Sequence, residues 1–336
     1  MNIFRCTILS LLIIVAFNSR GLAQAEVDSA YIDYVNSSWD EVQATEYDDS
    51  IQTKYASEFY EYYLSHEETV AGKKALQSAL MMWGNTGNVA MMDEVISKFK
   101  PDSDVWAWVP NSLGHAYVGD SSRTHQDAMK KLESLKDYVT NPVGKSAILT
   151  SLVRFYKRNP DTHQKALEYA QDLVEINESK WFVDLGLGAI YELESLGVGQ
   201  AAPEFTATTY HGEEFNLADH KGKYIILDFW ATWCGPCMPE IPVIKSLRET
   251  YPEENLTIVS IALEEDSEKY DKFLTENGMT WTQILQEKKR EDEIPTLYNV
   301  GGIPQKYIIG PEGNIVAKHL RGEKLTAKMD TLINRK

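Results

Sequence analysis

Cys234 and Cys237 are separated only by Gly235 and Pro236, in the stretch Phe229-Trp230-Ala231-Thr232-Trp233-Cys234-Gly235-Pro236-Cys237. A pair at this spacing serves one of two chemistries: half of a zinc site, or a dithiol that opens and closes as a disulfide. Zinc needs a second Cys or His pair, and the sequence has none at ligand spacing. Its only other cysteine is Cys6. The pair is therefore read as a thiol-disulfide exchange site, with no metal and no cofactor beyond its own sulfurs.

Such a pair must be held by regular elements on both sides. The run Tyr224-Ile225-Ile226-Leu227-Asp228 ahead of it is β-branched and apolar, which predicts a buried strand. Behind it, Pro239-Glu240-Ile241-Pro242 leads into Val243, Ile244 and Leu247 at helical spacing. The cysteines are thus expected where a strand ends and a helix begins. Unpaired N–H groups and the dipole of a first helical turn favour a thiolate there.

The surrounding half, 198–336, changes period repeatedly. After the linker-like Gly197-Val198-Gly199-Gln200-Ala201-Ala202-Pro203 it predicts a hairpin from Glu204 to Leu217, then the site strand and helix. There follow a strand Leu256 to Ala262, a helix Asp266 to Asn277, a segment Trp281 to Leu285, strands Lys306 to Ile309 and Ile315 to Lys318, and a helix after Glu323. That order is an α/β layer sandwich.

The preceding half, 26–197, reads as helix, with apolar residues every three or four positions, as in Ala75, Leu76, Ala79, Leu80 and Trp83. Thr86 to Met91, Thr124 to Met129 and Thr162 to Leu167 recur at an offset of 38 residues, and Ser112-Leu113 with Tyr117 matches Ser151-Leu152 with Tyr156 at 39. The pattern predicts repeated helical hairpins in which each Thr caps a second helix and each small Ala permits close approach; a plain helical bundle is the alternative. Trp106, Trp108, Tyr117 and Tyr156 are expected in the inter-helix core, and His115, His125 and His163 at the surface or at caps. A partner protein on this half is an expectation that no motif specifies.

Residues 1–25 have Arg5, an apolar run from Ile8 to Phe17 and the small-residue site Ala23-Gln24-Ala25, the pattern of a cleaved signal peptide, with an uncleaved anchor as the alternative. The segment holds Arg5 and Arg20 and no acid, so its removal changes the formal charge from −17 to −17 − 2 = −19. Nucleic acid and anionic lipid are poor partners for such a surface. Composition, 43% hydrophobic and 25% charged over 336 residues, suits two folded domains. An exported chain that loses Cys6 and retains one Cys-x-x-Cys uses that pair for chemistry.

Ala202-Pro203-Glu204-Phe205, Lys221-Gly222-Lys223, the Trp233 to Cys237 motif and Gly302-Ile303-Pro304 together resemble the TlpA/ResA-type thiol-disulfide reductases of the thioredoxin superfamily. The resemblance covers about 135 residues. It implies a thioredoxin fold with a central insert, a periplasmic location, a membrane electron donor and protein disulfide substrates, apocytochrome c among them. Cys234 is then the attacking sulfur and Cys237 the resolving one. Pro304 resembles the cis-proline facing the pair, with Ile303 presenting its backbone to an extended substrate; Pro295 is expected to be an ordinary loop proline. Trp233, Gly235 and Pro236 would shape the substrate face, and Trp230 the core. Asp228 lines up with the buried aspartate of thioredoxins and Glu240 with the glutamate of the TlpA/ResA branch. Holding both leaves the proton acceptor open between them. Gly235-Pro236 is the dipeptide of reducing members, which points to reduction. A peroxiredoxin is disfavoured because Ala231 and Leu227 stand where its threonine and proline belong, and a helical binding protein with a secondary redox domain is the alternative from another class.

Overall fold

The computed structural model describes residues 29–264, 267–286 and 294–334. The expected signal segment 1–25, with Cys6, lies outside the described residues, as does Asp266, where the insert helix was expected to begin. The chain forms two compact units, Met1–Val183 and Asp184–Lys336.

The first unit is helical: α1 Ser29–Ala44, α2 Asp49–Ser65, α3 Val70–Asn85, α4 Val89–Ile96, α5 Val109–Gly119, α6 His125–Leu135, α7 Pro142–Tyr156 and α8 His163–Ile176. Helices α3 and α4, α5 and α6, and α7 and α8 pack as hairpins, and α5 lies against both α3 and α7. Trp83, Trp106, Tyr117 and Tyr156 are buried between them, and Trp108 is half-buried. His115 and His125 are exposed, and His163 is half-buried with Nε2 3.0 Å from the Lys157 carbonyl.

Capping holds for one repeat of three. The Thr124 hydroxyl and Asp127 form a reciprocal capping box on α6. Thr162 instead donates to the Tyr156 and Asn159 carbonyls. In the first repeat Gly87, at φ 68°, prolongs the turn, so Asn88 and not Thr86 caps α4. That shift of register leaves Ala90 exposed and buries Val89, whereas Ala128 and Ala166 are buried as expected.

The second unit begins inside α9, Lys180–Ser195. A two-stranded antiparallel hairpin, β1 Thr206–Thr208 and β2 Glu214–Asn216, precedes a five-stranded sheet. Its elements are β3 Tyr224–Trp230, α10 Ile241–Thr250, β4 Leu256–Leu263, α11 Ser267–Asn277, β5 Thr282–Gln286, α12 Ile294–Leu297, β6 Gln305–Ile309, β7 Ile315–Lys318 and α13 Gly322–Ile333, with sheet order β5-β4-β3-β6-β7. Strands β3, β4 and β5 run parallel, and β6 and β7 run antiparallel to their neighbours. Pro295 sits in the short helix α12 and not in a loop; proline is tolerated at a helical start because its missing N–H would be unpaired there.

Strand alternation divides the central residues between two cores. Ile225, Leu227 and Phe229 face Phe205, Phe215, Tyr298 and Leu196. Ile226 and Trp230 face the other side, with both cysteines, Ile244 and Leu247 of α10, Tyr270 and Leu274 of α11, and Leu325 and Met329 of α13. Asp228, between Ile226 and Trp230, points to the cysteine side. Among the described residues no helix is long and apolar enough to cross a membrane.

Candidate active site

Cys234 and Cys237 are joined as a disulfide at the end of β3. The Cys234 N–H donates to the Ala231 carbonyl at 3.2 Å and the Cys237 N–H to the Cys234 carbonyl at 2.9 Å, so the pair closes a tight turn. A continuous helix does not start here. Gly235–Glu240 is a 3-10 turn, and α10 begins at Ile241. In an α-helix starting at the cysteines, Pro239 and Pro242 would fall beyond the first turn, where a missing N–H and the ring's clash with the preceding turn oppose the helix, so α10 begins only at Ile241, with Pro242 in its own first turn. Cys234 is 4% exposed and Cys237 1% in this disulfide form.

Trp233 is 52% exposed beside the pair and its Nε1–H donates to the Leu263 carbonyl at 3.2 Å, while Trp230 is buried beneath. Thr232 is held by a buried carboxylate: its N–H donates to Glu264 Oε2 at 3.3 Å and its hydroxyl donates to the same oxygen. The end of β4 thereby clamps the segment leading into Cys234.

Ile303–Pro304 is a cis peptide bond, and the Arg321 guanidinium donates to the Pro304 carbonyl at 2.7 Å. Gly235, Gly301 and Gly302 leave open space where a Cβ would stand, so bare backbone flanks both the disulfide and the cis bond.

On the cysteine side of the sheet lies a polar network that the two carboxylates alone do not predict. Lys306, 1% exposed, follows Pro304 by two residues and stands opposite Asp228 in the β3–β6 register. Its Nζ is 3.2 Å from Asp228 Oδ1 and 3.0 Å from Glu240 Oε2. The Gly322 N–H also donates to Glu240 Oε2, at 3.3 Å. On the far side Trp281 Nε1–H donates to Ser260 Oγ at 2.8 Å, and the Ser260 hydroxyl donates to Asp228 Oδ2 at 3.2 Å. Glu240 is thus 9% exposed and bound, not an open first-turn acid. Burial pushes the Asp228 carboxyl above its ordinary value of 3.8; Lys306 and Ser260 oppose this, and the charge of Glu240 adds to it.

Lys306 and Glu264 escape a motif-level reading. Lys306 had a signal in the sequence: it is a lysine directly before the apolar run Tyr307-Ile308-Ile309, complementary to an aspartate in the apolar strand Tyr224–Trp230. A buried charge needs a partner, so two such residues in neighbouring strands point to each other. Glu264 had none, since it opens the acidic run Glu264-Glu265-Asp266 and nothing marks it as the buried member.

A mixed sheet carrying Cys-x-x-Cys after its first central strand, with a cis-proline loop, defines a thioredoxin-fold dithiol protein. Residues 198–318 match the model of the AhpC/TSA family. The thiol-disulfide oxidoreductase ResA of Geobacillus kaustophilus is 32% identical over 124 residues, 37% of this chain and 70% of the relative. The thioredoxin-like protein YneN of Bacillus subtilis is 35% identical over 133 residues, 39% of this chain and 76% of its own length. The solved thioredoxin domain of thiol-disulfide oxidoreductase BVU-2223 from Bacteroides vulgatus is 31% identical, with a TM-score of 0.39, and covers 42% of this chain and 100% of that one. The chain belongs to the ResA-type thiol-disulfide oxidoreductases. The family match falls within the second unit.

Proposed function

We propose that this oxidoreductase is an exported reductase of protein disulfides. The observation that carries the reading is the Cys234–Cys237 disulfide after β3, in a core against which Ile303 of the cis Ile303–Pro304 bond packs, on the sheet face that also holds the buried Asp228–Lys306–Glu240 network. In the reduced enzyme the Cys234 thiolate attacks one sulfur of a substrate disulfide, and the other substrate sulfur leaves as a thiolate. Cys237 then gives its proton to a carboxylate and attacks Cys234 Sγ; the bond to the substrate breaks and the substrate leaves reduced. The disulfide in the structure corresponds to the product of that step. Two electrons and two protons from a thiol donor, in the cell a membrane protein, return it to the dithiol.

Gly235-Pro236 supports a potential near that of thioredoxin, about −270 mV, and not that of a strong oxidant near −120 mV. Ile303 is placed to pair with an extended substrate segment, with Trp233, Gly235 and Pro236 forming the adjoining surface. The signal-like segment 1–25 supports export to the periplasm. There, cytochrome c maturation is a fitting use, with reduced apocytochrome cysteines as product. The division into an N-terminal signal at 1–25, a helical domain at 26–197 and a redox domain at 198–336 belongs to the same proposal.

Insulin reduction with dithiothreitol tests the chemistry: turnover by the mature protein and its loss in Cys234→Ser are expected. No turnover, or full activity in Cys234→Ser, would overturn the reading. The same preparation given hydrogen peroxide should not consume it faster than free dithiothreitol does; faster consumption would favour a peroxidase. A Cys237→Ala variant should retain substrates as mixed disulfides, and their loss on deleting 26–197 would assign recognition to the helical half.

A further inference from the structure

Arg321 stands at the N-cap of α13, where two local rules speak against it. N-caps favour Ser, Thr, Asp or Asn, whose short side chains close the first turn, and the positive end of the helix dipole disfavours a cation. Arg321 supplies no side-chain cap. Its guanidinium turns instead to the cis-proline segment, where Nη2–H donates to the Pro304 carbonyl at 2.7 Å. The adjacent Gly322 N–H donates to Glu240 Oε2 at 3.3 Å, and Glu240 is the last residue of the turn that holds Cys237. Ile303, on the other side of the cis bond, packs on the core that contains both cysteines. The start of α13 is thereby tied to the cis-proline segment and to the cysteine turn at once.

The Pro304 carbonyl occupies one of the five N–H donors that a guanidinium carries. Arg321 is exposed, and among the described residues it has no ion pair, Glu323 in the same turn included. Any flexible donor would suffice to hold a single carbonyl; a planar fork with spare donors is the shape that matches a carboxylate. The rest of the chain points the other way, with a formal net charge of −17, so a cation beside the cis-proline reverses the sign of the surface locally.

We propose that Arg321 is a specificity-determining residue: with one donor on the Pro304 carbonyl, its others receive the carboxylate of an Asp or Glu that lies one or two residues from the disulfide cysteine of the substrate. The inference rests on the reductase reading, in which an extended substrate segment pairs with the backbone of Ile303. Each residue of such a segment advances about 3.3 Å, so a side chain one or two positions from the attacked sulfur passes within reach of a guanidinium anchored at the neighbouring Pro304. Gly301 and Gly302 are exposed and leave open space where a Cβ would stand, which keeps the approach clear. The Pro304 contact also holds the arginine in place before substrate arrives, so less rotamer freedom is lost on binding. Its part is selection of disulfides in an acidic setting; the exchange steps at Cys234 and Cys237 stay as written above.

Three peptides of one sequence test this, each closed by an internal disulfide and carrying Glu, Gln or Lys at the two positions on either side of one cysteine. Their rates of reduction by the pre-reduced full chain are compared at low ionic strength. The Glu peptide should react faster than the Gln peptide by about three- to tenfold, and the Lys peptide should be the slowest. In Arg321→Gln the Glu-to-Gln ratio should fall to about one, and Arg321→Lys, which keeps the charge without the fork, should give an intermediate ratio. A merely structural role, holding the Pro304 carbonyl and nothing else, would slow all three peptides alike and leave the ratio at the parent value, which overturns the inference. A parent that reduces the three peptides equally, or prefers the Lys peptide, overturns it as well. If Arg321→Gln does not fold, the parent order and Arg321→Lys decide, a ratio in Arg321→Lys equal to the parent's counting against the forked contact. Failure to reduce any of the three overturns the reductase reading and takes the inference with it, whereas equal reduction of all three leaves that reading standing.

Discussion

Asp228 and Lys306 stand directly opposite each other in the antiparallel β3–β6 register, and their charged ends meet 3.2 Å apart on the side of the sheet that holds the disulfide. Each is a charged residue buried in the sheet, so each helps the other tolerate burial. The pair joins the strand before the cysteines to the strand after the cis-proline, two segments nearly 80 residues apart in the chain.

The Asp228 carboxyl binds its proton more tightly folded than unfolded. Its contribution to stability is therefore fully present below the ordinary value of 3.8 and is lost as pH rises through the higher folded value. Asp228→Asn should remove that decline, giving a flatter curve of unfolding free energy against pH, with the variant gaining on the parent toward neutrality. Urea unfolding of the oxidised protein at a series of pH values measures it, and an unchanged slope contradicts the assignment.

Glu264 accepts both the N–H and the hydroxyl of Thr232 through one oxygen and is almost fully buried. Glu264→Ala leaves the half-buried Thr232 N–H and hydroxyl without their acceptor, at about 1–3 kcal/mol. Thr232→Val keeps the N–H bond and loses only the hydroxyl, so its penalty should be the smaller of the two. Denaturation midpoints of the oxidised forms rank them, and a reversed order argues against the clamp.

The second unit includes α9 from Asp184 onward, most of a helix that the sequence places on the helical side of a linker. Glu192 of α9, 4% exposed, pairs with Lys318 at 2.9 Å and lies 3.3 Å from His319 Nε2, Asn299 Nδ2–H donates to the Gly188 carbonyl at 2.9 Å, and Leu196 is buried in the sheet's second core. A fragment starting at Asp184 should be more stable than one starting at Val198 by about 3 kcal/mol or more, since the shorter one strands Lys318 and opens an apolar face. Equal melting of the two would show that α9 contributes nothing to the redox unit.

In the helical unit, a Cβ on Gly144 would fall 2.4 Å from the Cβ of the fully buried Trp106, whereas one on Gly114 would meet nothing within 4 Å. Gly144→Ala should cost about 1–3 kcal/mol through forced repacking. Gly114→Ala, on α5, should be neutral or stabilising by up to about 1 kcal/mol, the helix-propensity difference. Thermal unfolding of the two variants distinguishes a close-packed hairpin stack from a loose one.

Most of the redox unit was legible in the chain. Local pattern located β4, β6 and β7 to within a residue and the start of α13; β4 in particular reads as an unbroken apolar run because it is buried on both faces. The turn around Cys237 reads as α-helix in the sequence because Val243, Ile244 and Leu247 keep helical spacing, whereas Pro239 in that turn and Pro242 after it oppose an α-helix that starts at the cysteines. In the first hairpin repeat, similar letters hid a shift of register set by the backbone of Gly87.

By itself the sequence determined the chemistry: two cysteines at one spacing, no partner pair for a metal, and neighbours that define a strand, a turn and a helix. Those are local properties, carried by residue type and period over a few positions. What the tertiary structure alone decided is which distant charges share the site. Asp228, Glu240, Lys306 and the Gly322 N–H come from four separate segments, and their union depends on sheet order and register, quantities to which residues 80 positions apart leave only complementary traces. The disulfide is the centre that local sequence announces; the ammonium on the same side of the sheet is placed by the fold.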